Sequence, residues 1–220
     1  GIELSLSSTN IQTKDFNWQT NFNISFIKNT LEALSSGEQY RLARSGFDSN
    51  FTGDDYIAKV GESLGLIYGY EFDGIYQVDD FYTNTNGQLV LKEGITDNTR
   101  YSGGVKPGVV KYKDQDGDGK ITTADRTVIG NAMPKWFGGI TNTLEYKGID
   151  FSFMFQFDYG NDIYNANKIE TTSTSKYLYR NMTSEMSAAK RWTNIDGNGN
   201  LVTDMNQLAQ MNENTTMWSP

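Results

Sequence analysis

The chain has 220 residues, 37% of them hydrophobic, which is compatible with one or two ordinary domains that each hold a core. Nineteen Lys and Arg against twenty-seven Asp and Glu give a formal charge of -8, which repels phosphate backbones and argues against nucleic acid as a partner. Cys and His are both absent, which excludes a disulfide framework, a thiolate metal site and hydrolase triads built on Ser, His and Asp.

Aromatic residues make up 13% of the chain, and 22 Gly stand against 3 Pro, a balance that fits strands and turns better than a helical bundle. The first element, Ile2 to Ser8, alternates Ile2, Leu4 and Leu6 with Glu3, Ser5 and Ser7, and reads as a strand. A short polar link around Asn10 to Lys14 leads to a second strand, Asp15 to Ile27. Its apolar face carries Phe16, Trp18, Phe22, Ile24 and Phe26, and its polar face Asn17, Gln19, Asn21, Asn23 and Ser25. Residues 1–28 are therefore predicted to form two strands and a tight turn.

Residues 29–135 form a long connection with structure of its own. Leu31 to Leu42 reads as a short turn and helix, Leu64 to Tyr82 is rich in aromatics, and a hairpin is expected around Gly87 to Val90. Val109 to Lys113 looks like a strand, and it leads into the sharpest chemical motif of the chain, residues 114–125. With Asp114 as position 1, carboxylates fall at positions 1, 3, 5 and 12 (Asp114, Asp116, Asp118 and Asp125), with Gly119 at 6, the Lys120 carbonyl at 7 and Thr122 at 9. This is the ligand spacing of an EF-hand-type calcium loop. Ca²⁺ takes six to eight oxygens, and a glycine at position 6 permits the sharp bend. Because a strand precedes it, an isolated loop holding one structural Ca²⁺ is expected. The other reading is a Gly-Asp turn held by side-chain-to-backbone hydrogen bonds without metal. The similar run Asn194 to Gly199 has Met205 at its twelfth position and reads as a turn alone.

Residues 136–160 are predicted to hold two more strands. Trp136 to Tyr146 alternates less cleanly, whereas Ile149 to Tyr159 sets Ile149, Phe151, Phe153, Phe155, Phe157 and Tyr159 against Asp150, Ser152, Met154, Gln156 and Asp158. Lys147 and Gly148 join them. Residues 161–220 are polar, with a helix expected at Ser184 to Trp192 and a turn at Asp196 to Gly199.

Strands of this length, with aromatic outward faces and with short and long connections in alternation, fit a transmembrane β-barrel. Its tight turns would be periplasmic and its long loops, 29–135 and 161–220, extracellular. No run of about 18 apolar residues is present, so no transmembrane helix is expected, and Gly1 to Asn10 lacks the features of a signal peptide. Barrel strands escape that criterion, and a piece from inside a precursor would lack its leader. The fold class is thus mainly β: antiparallel strands of a transmembrane barrel with long, partly structured loops. A soluble β-sandwich alternates too, which leaves a calcium-stabilised carbohydrate-binding or adhesion domain as the alternative. A glycosidase would need two carboxylates across a cleft, and no such pair can be read here.

Several stretches together resemble the SusC/RagA family of TonB-linked outer-membrane transporters. They are Val60 to Gly65 followed by Tyr68 to Gln77, then Pro107-Gly108, Lys111 to Asp114, Gly119 to Ile121, Asp125-Arg126, Ile129-Gly130 and Pro134-Lys135. Tyr159 to Asn165 and Arg191 to Thr193 are similar as well, so the resemblance runs through nearly the whole chain. It implies an internal piece from the carboxy-terminal half of a 22-stranded, plug-closed importer. Such an importer is energised through TonB, capped by a SusD-like surface lipoprotein, and takes up glycans or, in some members, peptides. Plug, TonB box and earlier strands are not in this sequence. The resemblance implies no catalysis. Loop aromatics such as Tyr68, Tyr70, Tyr76, Tyr82, Tyr177 and Trp192 could stack on sugar rings, but packing within the loops is the expected role.

Overall fold

The structure is a computed structural model that describes residues 1–35, 37–47, 53–101, 104–173 and 179–219. In chain order its strands are β1 (Ile2–Gln12), β2 (Phe16–Phe26), β3 (Tyr40–Ala43), β4 (Tyr56–Lys59), β5 (Leu66–Gly69) and β6 (Phe72–Ile75). There follow β7 (Phe81–Thr83), β8 (Leu89–Leu91), β9 (Val110–Tyr112), β10 (Thr127–Asn131), β11 (Trp136–Tyr146) and β12 (Ile149–Tyr159). Helices α1 (Ala166–Thr171) and α2 (Met205–Asn212) lie in the last quarter, and 3-10 turns occupy Val78–Asp80, Thr123–Asp125 and Ser184–Met186. The fold is mainly antiparallel β, as expected. It divides into two compact units, Gly1–Tyr68 with Gly130–Tyr164 and Gly69–Ile129 with Asn165–Pro220.

The first unit is dominated by an open four-stranded sheet of order β1-β2-β11-β12, in which β1 and β12 are the edges. Each of the four strands has 11 residues. Their register brings like faces together: Leu6, Phe22, Ile140 and Phe155 form one cross-strand row, and Leu4, Ile24, Gly138 and Phe157 the next. On the opposite face Ser7, Asn21, Thr141 and Met154 align, as do Ser5, Asn23, Gly139 and Gln156. A period of two in each strand thus becomes one apolar and one mostly polar surface across the sheet. The apolar surface is bare: Ile2, Leu4, Leu6, Ile149, Phe151 and Phe155 are each more than half exposed.

Two tight turns close the same end of this sheet. Lys147 (φ 46°) and Gly148 (φ 84°) form a two-residue connection between Tyr146 and Ile149, with the doubly positive φ of a type I′ hairpin turn. The β1–β2 turn is held by Thr13, whose N–H and hydroxyl both donate to the Phe16 carbonyl at 2.8 and 2.9 Å. At Gly138 the chain tolerates no side chain. A Cβ there would lie 2.2 Å from the Asn23 carbonyl oxygen and 2.9 Å from the Phe157 ring.

β1 runs to Gln12, beyond the Ser8 read from sequence, and the reason is a bulge. Thr9 pairs with Gln19 but Ile11 with Trp18, so Asn10 is an extra residue that breaks the alternation. A second sheet has the order β10-β5-β4-β3. There Asp55 is buried and accepts the Ser45 N–H at 2.6 Å, while burial first, and then the nearby Asp55 charge, pushes the Tyr164 hydroxyl up to about 12.

The helix expected at Leu31 to Leu42 is not formed among the described residues. Instead Leu31 exchanges backbone hydrogen bonds with Gly61 and Glu62, and Tyr40–Ala43 pairs with β4. Strand pairing at both ends of the segment, with Gly37 at φ 72°, overrides its local helical pattern. The helix expected at Ser184 to Trp192 shrinks to the 3-10 turn Ser184–Met186, because Lys190 and Trp192 are drawn to the backbone of Thr216 and Met217.

The second unit packs Ile75, Val78, Trp192, Val202 and Leu208 into its core, with Met205, Ala209, Met211 and Trp218 around them. Helix α2 presents Met205, Leu208 and Ala209 to that core, and its N-cap Asp204 accepts the Gln207 N–H. The expected hairpin near Gly87 is β7–β8, turned through Asn84, whose Oδ1 accepts the amides of Asn86 and Gln88.

Candidate functional site

The 114–125 loop lies in the second unit, between β9 and β10. Its first half is a run of side-chain-to-backbone turns. Asp114 accepts the amides of Gly117 and Gly119 at 2.7 and 2.8 Å, Asp116 that of Asp118 at 3.2 Å, and Asp118 that of Lys120 at 2.7 Å. Gly117 (φ 77°) and Gly119 (φ 83°) take left-handed conformations that side-chain-bearing residues adopt only with strain. These turns bring one carboxylate oxygen from each of Asp114, Asp116 and Asp118 within 4.8 Å of one another.

The second half of the loop is anchored. Asp97 forms a parallel bridge with Lys120: its N–H donates to the Gly119 carbonyl, and its carbonyl accepts the Ile121 N–H. A parallel bridge uses the peptide groups that flank Lys120, so its own carbonyl is not consumed by this pairing. Under the loop, Tyr76, Asn98, Ile121 and Asp125 are all fully buried. The Tyr76 hydroxyl donates to the Thr96 carbonyl at 2.5 Å and accepts the Asn98 N–H at 3.1 Å. At the entrance, Glu71 accepts from Gln115 at 3.1 Å and from Lys113 at 3.3 Å, which together hold its carboxyl below the ordinary range.

Asp125 is not one of the three clustered carboxylates, and the Thr122 hydroxyl is turned to the loop backbone. Asp125 Oδ1 accepts the Gln115 amide at 2.8 Å and Oδ2 the Thr122 amide at 2.7 Å, while Thr122 Oγ1 caps the Ala124 amide. Asp125 thereby ties the loop's entry to its exit. The hydrogen bond from Thr122, joined by that from Gln115, outweighs burial and lowers its pKa from 3.8. For Asp116 the Asp118 amide pulls downward, but desolvation and the charges of Asp118, Asp125 and Asp114 outweigh it, so its pKa is raised from 3.8.

The signs of these two shifts predict a biphasic acid response of the metal-free loop. A raised folded-state pKa at Asp116 means that protonation first relieves repulsion as pH falls through that value. A lowered one at Asp125 means that its stabilisation, full above 3.8, is lost as pH falls through its folded value. Carboxyl-carbon NMR in the absence of calcium should place the two midpoints on opposite sides of 3.8, with Asp116 the higher; coincident midpoints would contradict the geometry.

The loop aromatics largely pack. Tyr76 and Trp192 are buried, and Tyr70 lies under the Arg100 guanidinium (4.7 Å) and stacks on Tyr112 (5.1 Å). Tyr82 is half exposed, and Tyr177 lies outside the described residues. Sequence reasoning missed the Asp97–Thr99 segment that grips the loop, since no motif marks it. The Asp196 turn carries no metal pattern: its Oδ1 accepts the amides of Asn198 and Asn200.

No family model matches the chain. Among curated proteins, it is 35% identical over 175 residues to TonB-dependent receptor P3 of Formosa agariphila, a match that covers 79% of the chain and 16% of that receptor. TonB-dependent receptor P26 of the same organism is 31% identical, with 88% of the chain and 17% of the receptor covered. TonB-dependent receptor SusC of Bacteroides thetaiotaomicron is 25% identical over 93% of the chain and 18% of the receptor. Among solved structures, the RagAB peptide transporter superposes with a TM-score of 0.59 at 16% identity, over 99% of this chain and 20% of that one, and so shares its fold. The chain spans about a sixth of the length of the curated relatives it matches. With its open sheet of long antiparallel strands it is homologous to a class of outer-membrane receptors that are not enzymes. More narrowly, it belongs with the TonB-dependent receptors of the SusC/RagA family.

Proposed function

We propose that the chain supplies four wall strands and two long loops to a TonB-dependent importer of nutrient oligomers, glycans or peptides, that works with a SusD-like lipoprotein. The observation that carries this reading is the segregation of the β1-β2-β11-β12 sheet into an exposed apolar face and a mostly polar face. In a barrel wall the first meets lipid and the second the lumen. A soluble sandwich would cover the apolar face with another layer, whereas eight large side chains on this face are more than half exposed. The relatives named TonB-dependent receptors, SusC among them, support the energy source, and the RagAB likeness supports the fold of an outer-membrane transporter.

In this reading the Thr13–Asp15 and Lys147–Gly148 turns are periplasmic, and the loops 29–135 and 161–220 are extracellular. Cysteines introduced at Thr85 and at Lys147 of the full-length receptor test the orientation. A membrane-impermeant maleimide applied to intact cells should label the first and spare the second; the reverse pattern would overturn the assignment. Loss of glycan and peptide uptake on deletion of the gene tests the activity.

The 114–125 loop is proposed to hold one structural Ca²⁺ on Asp114, Asp116 and Asp118 with the Lys120 carbonyl at about 2.3–2.6 Å, and Thr122 and Asp125 complete the set by turning from the loop amides that they now bond. What supports it is the convergence of three carboxylates, at one of which, Asp116, desolvation and then the charges of Asp118, Asp125 and Asp114 outweigh the Asp118 amide and raise the pKa. Titration calorimetry should show calcium binding by the 220-residue chain and none by Asp118→Ala. Absence of heat from the unmodified chain at millimolar calcium would leave the loop as a hydrogen-bonded turn.

A further inference from the structure

One row interrupts the apolar face. Ser8, Thr20 and Asn142 are cross-strand neighbours on β1, β2 and β11, in the register position between the Leu6-Phe22-Ile140 row and the Ile11-Trp18-Leu144 row. Polar side chains at this position would be anomalous on a lipid-facing wall unless they bond one another, and a chain of hydrogen bonds runs through them. Ser8 Oγ donates to Asn10 Oδ1 at 2.9 Å, and Asn10 Nδ2 donates to Thr20 Oγ1 at 2.6 Å. Thr20 Oγ1 and Trp18 Nε1 then both donate to Asn142 Oδ1, at 2.7 and 2.9 Å. Asn142 is only 8% exposed although its strand neighbours on this face are large and apolar. Asn10 is the residue added by the β1 bulge, and the bulge is what lets it reach Thr20.

The depth of this row follows from the aromatic rows at the two ends of the sheet. Trp136 stacks on Tyr159 at 4.8 Å at one end, and Phe16 meets Tyr146 at 6.4 Å at the other. The 11 residues of β11 span ten residue-to-residue steps. At about 3.4 Å per residue and a tilt of about 40°, the rows stand roughly 25 Å apart along the membrane normal, the height of an outer-membrane apolar band flanked by aromatic girdles. Asn142 falls near the middle of that interval, where hydrocarbon offers no alternative hydrogen-bond partner.

We propose that Ser8, Asn10, Thr20, Asn142 and Trp18 form an intramembrane hydrogen-bond seam that locks the register of β1, β2 and β11 at mid-depth in the bilayer. This rests on the reading of the apolar face as lipid-facing. A one-residue slip of β1 would carry Asn10 away from Thr20 and put Thr9 or Ile11 in its place, and neither has a side-chain amide that can accept from Ser8 and donate to Thr20 Oγ1. The seam therefore ties strand pairing to polar satisfaction. Removing the Asn142 Oδ1 acceptor strands Thr20 Oγ1 and Trp18 Nε1, and removing the Thr20 hydroxyl strands Asn10 Nδ2, whereas removing both strands only Trp18 Nε1 and Asn10 Nδ2, one donor fewer than the single losses summed.

The test is a double-mutant cycle of Thr20→Val and Asn142→Leu in the full-length receptor reconstituted in lipid, with the temperature of barrel unfolding in SDS as readout. Alongside it, nitroxides at Phe22→Cys and Phe155→Cys report exposure to oxygen, which concentrates in hydrocarbon, or to a water-soluble relaxation agent. Oxygen exposure at both labels, with a double variant that loses less than the sum of the single losses, is the expected result. If Asn142→Leu alone fails to assemble, recovery of assembly in a triple variant that adds Thr20→Val and Trp18→Phe, and so leaves only Asn10 Nδ2 without its partner, supports the seam equally. Oxygen exposure with additive losses, or with no recovery, overturns the seam and leaves the lipid-facing wall intact. Labels open to the aqueous agent overturn the lipid-facing reading and the seam with it.

Discussion

Phe155→Arg in the full-length receptor is expected to destabilise the membrane-embedded barrel by about 2–4 kcal/mol, the effect of a basic side chain near the midplane of the lipid face. Phe155 shares its row with Leu6, Phe22 and Ile140, lies between the two aromatic rows, and is 63% exposed, so the charge would have neither a protein partner nor a short route to water. Gln156→Arg, one residue along and on the polar face, serves as the control and should be tolerated. Equal assembly of the two variants into outer-membrane vesicles would mean that the aromatic face is not turned to lipid.

The largest effect in the other unit is expected from Trp192→Ala, at about 3–5 kcal/mol for loss of a buried indole. Trp192 is 7% exposed and packs with Ile75, Val78, Val202 and Leu208. Its ring also fills the space over Gly108, where a Cβ would stand 2.5 Å from it. Truncation would open a cavity that the backbone around Gly108 (φ 88°) cannot simply close. Hydrogen exchange on the full-length receptor is the measurement. Amides of Val202 and Leu208 should lose protection in the variant while those of Ile140 and Phe153 keep theirs; unchanged protection at Val202 would show that the core does not depend on the indole.

The parts of this chain legible in its sequence are those where one physical signal acts alone. β11 and β12 match the segments Trp136 to Tyr146 and Ile149 to Tyr159 because every second side chain must face the same medium over 11 residues. β1 outruns its legible alternation, since the Asn10 bulge shifts the phase, and a bulge has no residue signature here. Leu31 to Leu42 and Ser184 to Trp192 depart from their helical patterns because their backbones are satisfied by distant segments, Gly61-Glu62 in one case and Thr216-Met217 in the other. Helix α2 does have a local signal, an N-cap Asp204 before Met205, Leu208 and Ala209, but its polar surroundings mask it. In the 114–125 loop the carboxylate spacing locates Asp114, Asp116 and Asp118 together, as the structure has them. The same spacing cannot reveal that Asp125 bonds the Gln115 and Thr122 amides, because that depends on how the loop's exit folds back on its entry.

The Lys147-Gly148 turn bears on the order in which the wall is built. A two-residue type I′ connection lets β11 and β12 find each other within about 1–10 μs, with almost no loop to close. β11 must also pair with β2, from which about a hundred residues separate it, and that pairing carries the closure entropy of the whole intervening segment. The β11–β12 hairpin is thus available as a preformed unit well before its other edge is filled. Until β2 arrives, β11 offers an open edge along its full length, so assembly of this wall is most exposed to wrong strand partners in the interval set by folding of residues 29–135.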